Sequence, residues 1–359
     1  MKGGWKYWLG DMLAGTTIGA GVALAHHFLI PQSLGAFAGV ALGMIVGMGA
    51  QMILSLLVGV FCGAMEAMIP GMFVGMLGMV LPVFHLSNLQ TELFLGSGIG
   101  FVVFLIFAGW DQSMKGTTLT VRPPGPPKRS KIASLAWKGP GGLYDVMEKG
   151  SSRRQARFQK EIFRDMKGKV LFVAAGTGLN FPNFPPGKEI LAIDLSSRMV
   201  EAARERALEY KGSLSLQKAD VQLLPFADSS FDTVATACTF CSVADPVRGL
   251  KELYRVLKPG GAMLMFEHVR SRKPLLGLSL DFLNLVTRYI GPAMNRDTVG
   301  NVQKAGFVIA RVVCAYLDIF LAIEANKPWK DIPAYSISCQ HQGADPVRLK
   351  RNWRKSSLA

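Results

Sequence analysis

The first third of the chain is apolar almost throughout, and its few polar positions fall at regular breaks. The segment from Met12 to Met65 contains no Asp, Glu, Lys or Arg. One crossing of a bilayer takes about 20 apolar residues. The pattern therefore predicts an α-helical transmembrane bundle of about four helices. We place these helices at residues 8–30, 34–60, 64–86 and 93–110.

After residue 112 the pattern changes twice. A stretch rich in proline, glycine and basic residues predicts a stiff extended spacer, because proline fixes the backbone and resists helix. Short apolar strands then alternate with amphipathic helices, which predicts a doubly wound α/β sheet. The predicted divisions are a transmembrane domain at 1–112, a linker at 113–142, an α/β domain at 143–327 and a basic tail at 328–359.

Charge is distributed as unevenly as hydrophobicity. The 359 residues carry a formal net charge of +15, whereas the first 110 hold only two lysines and three acids. Lysines precede the first predicted helix and many basic residues follow the last. The positive-inside rule then places both termini and the α/β domain in the cytoplasm. We expect an integral protein of a bacterial inner membrane, with both termini on the cytoplasmic side.

The basic spacer and tail suggest partners. Lysine and arginine beside a membrane are attracted to anionic headgroups, so the lipid bilayer is the expected partner of the spacer. The tail predicts solvated disorder, with contact to the membrane surface as the alternative. Basic charge alone is not specific for nucleic acid, and none is expected as a partner.

Small and sulfur-containing side chains recur along the predicted second helix. Glycines repeat every four residues from Gly35 to Gly47 and so share one helix face. Small residues permit close helix approach, within one chain or between copies, and the oligomeric state stays open. Met44, Met48 and Met52 form a neighbouring stripe, which we interpret as flexible packing. The alternative is a thioether path for a soft metal such as Cu(I), in a transporter or sensor coupled to the α/β domain.

A glycine-rich turn marks the start of the α/β domain. The apolar strand ending at Val173 leads into Ala174-Ala175-Gly176-Thr177-Gly178, and the next strand ends in Asp194. Glycines let a backbone approach its ligand closely, and an acid in this place accepts hydrogen bonds from ribose hydroxyls. This unit predicts a nucleotide-type ligand without specifying which.

Segments farther along carry a family resemblance. The block from Leu253 to Gly261 reads LYRVLKPGG, and Cys241-Ser242-Val243, Glu267-His268-Val269 and Asn295-Arg296-Asp297-Thr298-Val299 accompany it. From about residue 144 to 327 the chain resembles class I S-adenosylmethionine-dependent methyltransferases of the ubiquinone/menaquinone C-methylase type. It is also similar to phosphatidylethanolamine N-methyltransferase-like bacterial enzymes and to animal membrane thiol methyltransferases. The resemblance implies a seven-stranded sheet and S-adenosylmethionine as cofactor.

The resemblance also implies roles for individual residues. The glycines should pass under the methionine part of the cofactor, the acid after the second strand should hold the ribose, and the acid after the third should face the adenine. The expected cofactor-binding residues are Ala174, Gly176, Gly178, Asp194, Leu195, Asp220, Val221 and Thr239. Phe240, Cys241 and Glu267 are expected to line the substrate pocket. The family usually has an acid where Phe172 stands and a glycine where Ala174 stands, so we expect weaker cofactor binding unless another group compensates for the acid.

Methyl transfer requires little from the protein beyond alignment of donor and acceptor and exclusion of water, because the sulfonium is already reactive. His268 is the first candidate base, since histidine titrates near neutral pH; a structural hydrogen bond is the alternative. Glu267 and Tyr144 are further candidates, and for Tyr144 the alternative is a packing role in a helix that covers the site. Cys238 and Cys241 are too few for a metal site, so we expect no metal and a buried apolar role.

These expectations combine into one hypothesis: a membrane-anchored methyltransferase for a lipophilic or membrane-delivered acceptor. The candidate acceptors are a quinone precursor, an aminophospholipid headgroup, and a small thiol or other soft chalcogen species. The alternatives are the soft-metal transporter or sensor described above and a cofactor-binding sensor without enzymatic activity.

Overall fold

The computed structural model describes residues 4–31, 33–34, 36–78, 88–121, 153–290 and 292–329. The chain divides into two compact units. One comprises Met1–Ser113 with Gly142–Arg154, and the other comprises Met114–Gly141 with Gln155–Ala359. Tyr144, most of the predicted linker and nearly all of the predicted tail lie outside the described residues.

The first unit is built from apolar helices. Their bounds are Gly4–Leu29 for α1, Ala36–Cys62 for α2, Ala64–Leu77 for α3 and Leu89–Met114 for α4. Among the described residues, three helices are long and apolar enough to cross a membrane, namely α1, α2 and α4. The described part of α3 has 14 residues, which at about 1.5 Å each falls short of a bilayer core of roughly 30 Å. The prediction of four spanning helices is thus reduced to three within these ranges.

The break between α2 and α3 is made by one glycine. Gly63 has φ 101°, a left-handed conformation that costs glycine nothing and strains other residues. The chain can therefore leave one helix and begin the next within a single residue. This agrees with the break predicted near Cys62.

A glycine contact joins α2 to α3. A Cβ added at Gly47 would lie 2.5 Å from the carbonyl oxygen of Gly75, and one added at Gly75 would lie 2.8 Å from the carbonyl oxygen of Gly47. Gly39, Gly43 and Gly47 are all buried, as expected for glycines on one helix face. The predicted close approach therefore occurs within the chain, backbone against backbone.

Replacing Gly47 with valine should destabilise the helical unit. The added side chain would meet backbone, which cannot yield as the tip of a side chain can, and overpacking of this kind costs about 1–3 kcal/mol or more. The thermal midpoint in detergent measures the effect. Gly49→Val is the matched control on the same helix, because nothing lies within 4 Å of a Cβ there. Equal losses in the two variants would contradict the backbone contact.

The second unit is a seven-stranded sheet. Its strands are β1 Lys169–Val173, β2 Glu189–Asp194, β3 Ser213–Lys218, β4 Phe231–Ala237, β5 Leu257–His268, β6 Val308–Tyr316 and β7 Phe320–Asn326. They lie in the order β3-β2-β1-β4-β5-β7-β6. Neighbours are parallel from β3 to β5, whereas β7 is antiparallel to both β5 and β6. The predicted doubly wound, seven-stranded α/β domain is confirmed.

Helices connect the strands and cover the sheet. They are α5 at 153–163, α6 Ser197–Ala202, α7 Arg204–Leu208, α8 Pro246–Val256, α9 Pro274–Ile290 and α10 Thr298–Lys304. The α8 helix begins at a proline and is capped by Asp245, whose carboxylate accepts a hydrogen bond from the amide of Arg248 at 3.0 Å. Proline at this position and an aspartate before it are both typical of a helix start. Leu250, Leu253 and Val256 turn into the core.

The outer edge of β6 is covered by the segment that precedes the α/β domain in the chain. The amide of Leu119 donates to the carbonyl oxygen of Val312 at 2.9 Å, and the amide of Gly116 donates to that of Cys314 at 2.8 Å. Thr118 pairs with Val313 as an antiparallel bridge. The first described part of the predicted linker is therefore hydrogen-bonded to the sheet.

Candidate active site

The glycine turn after β1 is a left-handed path through the backbone. Ala174, Gly176 and Gly178 have φ values of 59°, 56° and 84°. Glycine adopts this conformation freely, whereas alanine pays roughly 1–2 kcal/mol. The cost explains why glycine suits the position of Ala174. A Cβ at Gly178 would also lie 2.8 Å from the ring of Phe181, so this position requires glycine for space as well.

Asp194 ties the end of β2 to that turn. Its Oδ2 accepts a hydrogen bond from the amide of Gly176 at 2.9 Å, and its Oδ1 accepts one from the amide of Ser196 at 2.8 Å. Burial raises the pKa of Asp194, and the amide donors, including that of half-exposed Leu195, act against this rise. A carboxylate with four acceptor directions still has capacity for ribose hydroxyls after these bonds.

Asp220 follows β3 at the same carboxyl edge of the sheet. The amide of Ala219 donates to the carbonyl oxygen of Asp194 at 3.0 Å, which sets the two acids on adjoining strand ends. The carboxylate of Asp220 accepts from the amide of Gln222 at 2.8 Å. Val221 is buried in the hydrophobic core. Its side chain therefore packs, and the backbone contact with the cofactor that the resemblance implies stays a prediction.

Phe172 has become part of an aromatic core. It is fully buried, with ring centroids 5.9 Å from Phe163 and 4.8 Å from Phe184. A carboxylate among these rings would lose its hydration without a charged partner, at a cost of several kcal/mol. A phenylalanine that packs in the core therefore stands where the family usually has an acid. The expected loss of cofactor affinity stays a prediction.

Glu267 holds the loop that follows β4. Its Oε1 accepts from the hydroxyl of Thr236 at 2.7 Å and from the amide of Thr239 at 3.2 Å, and its Oε2 accepts from the amide of Phe240 at 3.1 Å. Burial raises the pKa of Glu267 to about 7, while these three donors act against the rise. Glu267 thus positions the loop from within the core, and its predicted contact with the substrate stays a prediction.

Thr239, Phe240 and Cys241 form that loop and are all buried. The Thr239 hydroxyl donates to the carbonyl oxygen of Val173, 3.2 Å away at the end of β1. The loop is therefore fixed to the start of the glycine turn. Cys241 contacts the carbonyl oxygen of Cys238 through Sγ at 3.3 Å.

His268 ends β5 in an unusual state. It is 4% exposed, and neither ring nitrogen has a hydrogen-bond partner among the described residues. Burial lowers the pKa of His268 to about 4, so the imidazole is neutral at pH 7. The structural hydrogen bond considered as an alternative is not made by the described residues. The unpaired nitrogens suit contact with an acceptor, whereas the low pKa makes the side chain a weak base.

One residue at this edge was given no role by the sequence. Arg296 is buried, and its Nη2 donates to the carbonyl oxygen of Val243 at 2.7 Å. The amide of Ala293 donates to the carbonyl oxygen of Cys241 at 2.9 Å. The segment 292–297 is thus hydrogen-bonded to the loop after β4 and to the residues that follow it. Its Asn-Arg-Asp-Thr-Val motif was the available signal, but no spacing rule links it to that loop.

Comparisons with known proteins agree with this geometry. The methyltransferase domain family model matches residues 171–265. The ubiquinone/menaquinone biosynthesis C-methyltransferase of Geotalea daltonii is 40% identical over 132 residues, which cover 35% of this chain and 56% of that protein. Its counterpart in Pasteurella multocida is 32% identical, with 49% and 69% covered.

A mammalian protein matches as well. The thiol S-methyltransferase TMT1B of Rattus norvegicus is 30% identical over 181 residues, covering 46% of this chain and 73% of that one. Among solved structures, a S-adenosylmethionine-dependent methyltransferase of Thermotoga maritima is 23% identical over 49% of this chain and 90% of that one, with a TM-score of 0.39. The chain spans less than two thirds of the Geotalea relative, so the alignment covers part of that protein.

The left-handed glycine turn, the acid that braces it and the acid on the next strand end are the features of a nucleotide-type binding site. They lie within or beside the segment that the family model matches. The chain therefore belongs to the class I S-adenosylmethionine-dependent methyltransferases, and S-adenosylmethionine is its cofactor.

Proposed function

We propose that this chain is a membrane-anchored methyltransferase whose small lipophilic acceptor reaches the site from the bilayer. The observation that carries the proposal is the outer face of α9. Its members, Leu275, Leu278, Phe282 and Leu285, are 51–65% exposed. Large apolar side chains grouped on a surface mark an interaction site, and on one face of a helix they suit the plane of a membrane interface.

The other face of α9 borders the acceptor end of the sheet. Asp281 accepts a hydrogen bond from Nη2 of Arg270, just past β5, at 2.6 Å. Asn284 accepts one from the amide of Met294 at 3.0 Å. A helix with its apolar face in the interface and its polar face against these loops would offer an apolar acceptor a short path. Three helices with the length and composition of membrane spans in the described part of the chain support the anchoring.

The chain's own residues bind, orient and exclude water. Gly176, Gly178 and Asp194 would hold the cofactor, which supplies an electrophilic methyl group when bound. Glu267 fixes the amides of Thr239 and Phe240 and so keeps the loop after β4 in place. Burial of this loop removes water that would otherwise compete for the methyl group.

The test is methyl transfer by the full chain in lipid vesicles. With labelled S-adenosylmethionine, we expect label in an apolar acceptor, and the quinone-precursor, aminophospholipid and thiol candidates are supplied in parallel. The names of the relatives favour the first and third. Cofactor binding without transfer to any vesicle-borne acceptor would refute the proposal.

Two aspartate substitutions on the outer face of α9 should distinguish delivery of the acceptor from the methyl-transfer step itself. The double variant Leu278→Asp with Phe282→Asp loses two large apolar contacts with the bilayer, each worth about 1.5 kcal/mol or more. We expect the KM for vesicle-borne 1-dodecanethiol to rise about tenfold or more, and that for water-soluble 2-mercaptoethanol to stay unchanged.

Leu208→Asp provides the control for this pair. Leu208 is 88% exposed on α7, so the variant adds a charge to the same unit without touching the outer face of α9. It should leave the KM for both thiols as in the wild type. A selective rise in the Leu208 variant, or none in the double variant, would contradict delivery by way of α9.

A further inference from the structure

Arg296 is a buried cation without a counter-ion. It is 6% exposed, and its Nε has no hydrogen-bond acceptor in the part of the chain that the structure describes. Among the described residues, the hydrogen bond that the Arg296 guanidinium donates is the one from Nη2 to the carbonyl oxygen of Val243. No carboxylate of the described residues lies within 4.0 Å of the guanidinium. A buried charge ordinarily has both a partner of opposite sign and filled hydrogen bonds, and Arg296 lacks both.

Asp245 does not fill this role. Asp245 influences Arg296 electrostatically, but its carboxylate caps α8 by accepting from the amide of Arg248. The other group that acts on Arg296 is Cys241, in the loop after β4. Glu267, also near that loop, is occupied by the hydroxyl of Thr236 and two amides. The guanidinium is therefore left with donor capacity beside the loop after β4.

His268 is a second unpaired polar group at the same edge. The amide of Arg270, two residues along, donates to the carbonyl oxygen of Arg296 at 2.9 Å, so the end of β5 and the Arg296 segment adjoin. A neutral imidazole offers one N–H donor. This edge of the sheet thus presents Arg296 as a cation without a counter-ion and His268 as a neutral donor. The buried carboxylate of Glu267 is already hydrogen-bonded to the loop after β4.

We infer that Arg296 binds the methyl acceptor as an anion, and that the substrate class is the acidic S–H or O–H compound, a thiol or a phenol, rather than an amine. This rests on the proposed function, since it concerns the acceptor of the same site. An ammonium headgroup would be repelled by Arg296, whereas a thiolate or phenolate would supply the missing partner. A charge-assisted bond to arginine is among the strongest that a protein forms with an anion.

The chemical step then balances simply. The acceptor releases its proton to solvent and binds as the anion. Its lone pair forms the new bond to the methyl carbon, and the bond from that carbon to the sulfonium breaks with its electron pair left on sulfur. The products are the neutral methylated acceptor and neutral S-adenosylhomocysteine. No oxidant or further reactant is needed.

The first experiment compares Arg296→Met with Arg204→Met in the full chain. Arg204 forms an exposed ion pair with Glu201 at 2.6 Å and lies 35 residues before Thr239, the first residue of the loop after β4. Thiophenol and aniline serve as acceptors of matched shape. We expect Arg296→Met to lower kcat/KM for thiophenol about ten- to a hundredfold with an unchanged Kd for S-adenosylmethionine, and Arg204→Met to change neither. Full activity of Arg296→Met would overturn the inference.

The second experiment uses the wild type and so does not depend on how the variant folds. The absorbance of 4-nitrothiophenol and of 4-nitrophenol, bound with S-adenosylhomocysteine, reports their ionisation. Binding as an anion should lower the pKa of the bound probe by about one unit or more, and the larger shift tells a thiol site from a phenol site. An unchanged or raised pKa would overturn the inference. Absence of methyl transfer with a lowered probe pKa would instead count against the proposed function.

Discussion

Replacing Asp194 with alanine should abolish measurable binding of S-adenosylmethionine. The carboxylate accepts hydrogen bonds from the amides of Gly176 and Ser196 at 2.9 and 2.8 Å. Its loss would release the glycine turn and leave two partly buried donors unpaired, each at a cost of about 1 kcal/mol or more. The predicted bonds to the ribose would be lost as well. We expect the affinity, measured by isothermal titration calorimetry, to fall by about a hundredfold or more.

Glu189→Ala is the matched control for that variant. Glu189 begins the same strand that Asp194 ends, and its exposed carboxylate lies 3.9 Å from Nζ of Lys169. An exposed pair of this kind contributes little. The control should bind the cofactor as the wild type does. Retained binding in Asp194→Ala, or equal losses in both variants, would show that Asp194 does not brace the cofactor site.

Removing His268 should make the stability of the methyltransferase domain fall as the pH rises. Glu267 and His268 are adjacent and buried, and their pKa values are displaced in opposite directions. Burial raises the pKa of Glu267 from 4.5 to about 7 and lowers that of His268 from 6.5 to about 4. A shift of this size corresponds to about 3 kcal/mol in each case.

The two contributions have opposite signs. The contribution of Glu267 is fully present below pH 4.5 and is lost as the pH rises through about 7, because the folded state binds the extra proton. That of His268 is fully present above pH 6.5 and is lost as the pH falls through about 4, because the unfolded state binds the extra proton. Between pH 4 and 7 the wild type should therefore be nearly flat with respect to these two groups.

Single variants should reveal how each group makes the free energy of unfolding depend on pH. In His268→Asn the domain should lose about 3 kcal/mol between pH 4.5 and 7, and in Glu267→Gln it should gain a similar amount between pH 4 and 6.5. Calorimetry of the full chain would register each change as roughly 6–12 °C in the midpoint of the domain. The slopes are compared rather than the absolute midpoints, because either substitution also alters packing. Identical slopes in the two variants would contradict the opposed shifts.

The parts of the fold that could be predicted from sequence depend on local patterns. A short apolar strand followed by glycines, and a second strand ending in an acid, sufficed to predict the turn at Gly176 and Gly178 and its partner Asp194. Their meeting follows from parallel pairing of β1 and β2, which the alternation of strands and helices implies. The helix bounds at the N-terminus were less accessible. Hydropathy marks an apolar stretch but not the residue at which its helix ends, and the last residues predicted for α3, 79–86, lie outside the described residues.

The less predictable parts of the site depend on contacts distant in sequence. Glu267 lies 28 residues from Thr239, and Arg296 lies 53 residues from Val243. No periodicity or spacing rule reports such pairs. The sequence could identify Glu267 and His268 as residues at a strand end, but only the three-dimensional arrangement distinguishes an acid committed to a loop from a histidine without partners. The unbalanced positive charge of Arg296 becomes apparent only when the structure shows that Glu267 is bonded to the loop and that His268 is neutral.

The strand-like segment from Gly116 to Leu119 has a consequence for the behaviour of the sheet in solution. An uncovered outer strand displays a row of free amides and carbonyls, which is a template for aggregation between molecules. Here the chain itself occupies that row on β6, through the bonds to Val312 and Cys314. A methyltransferase domain produced without residues 1–121 would expose the unpaired amides and carbonyls along the outer edge of β6. The stretch before the proline-rich spacer is thus a safeguard against self-association as well as a connection.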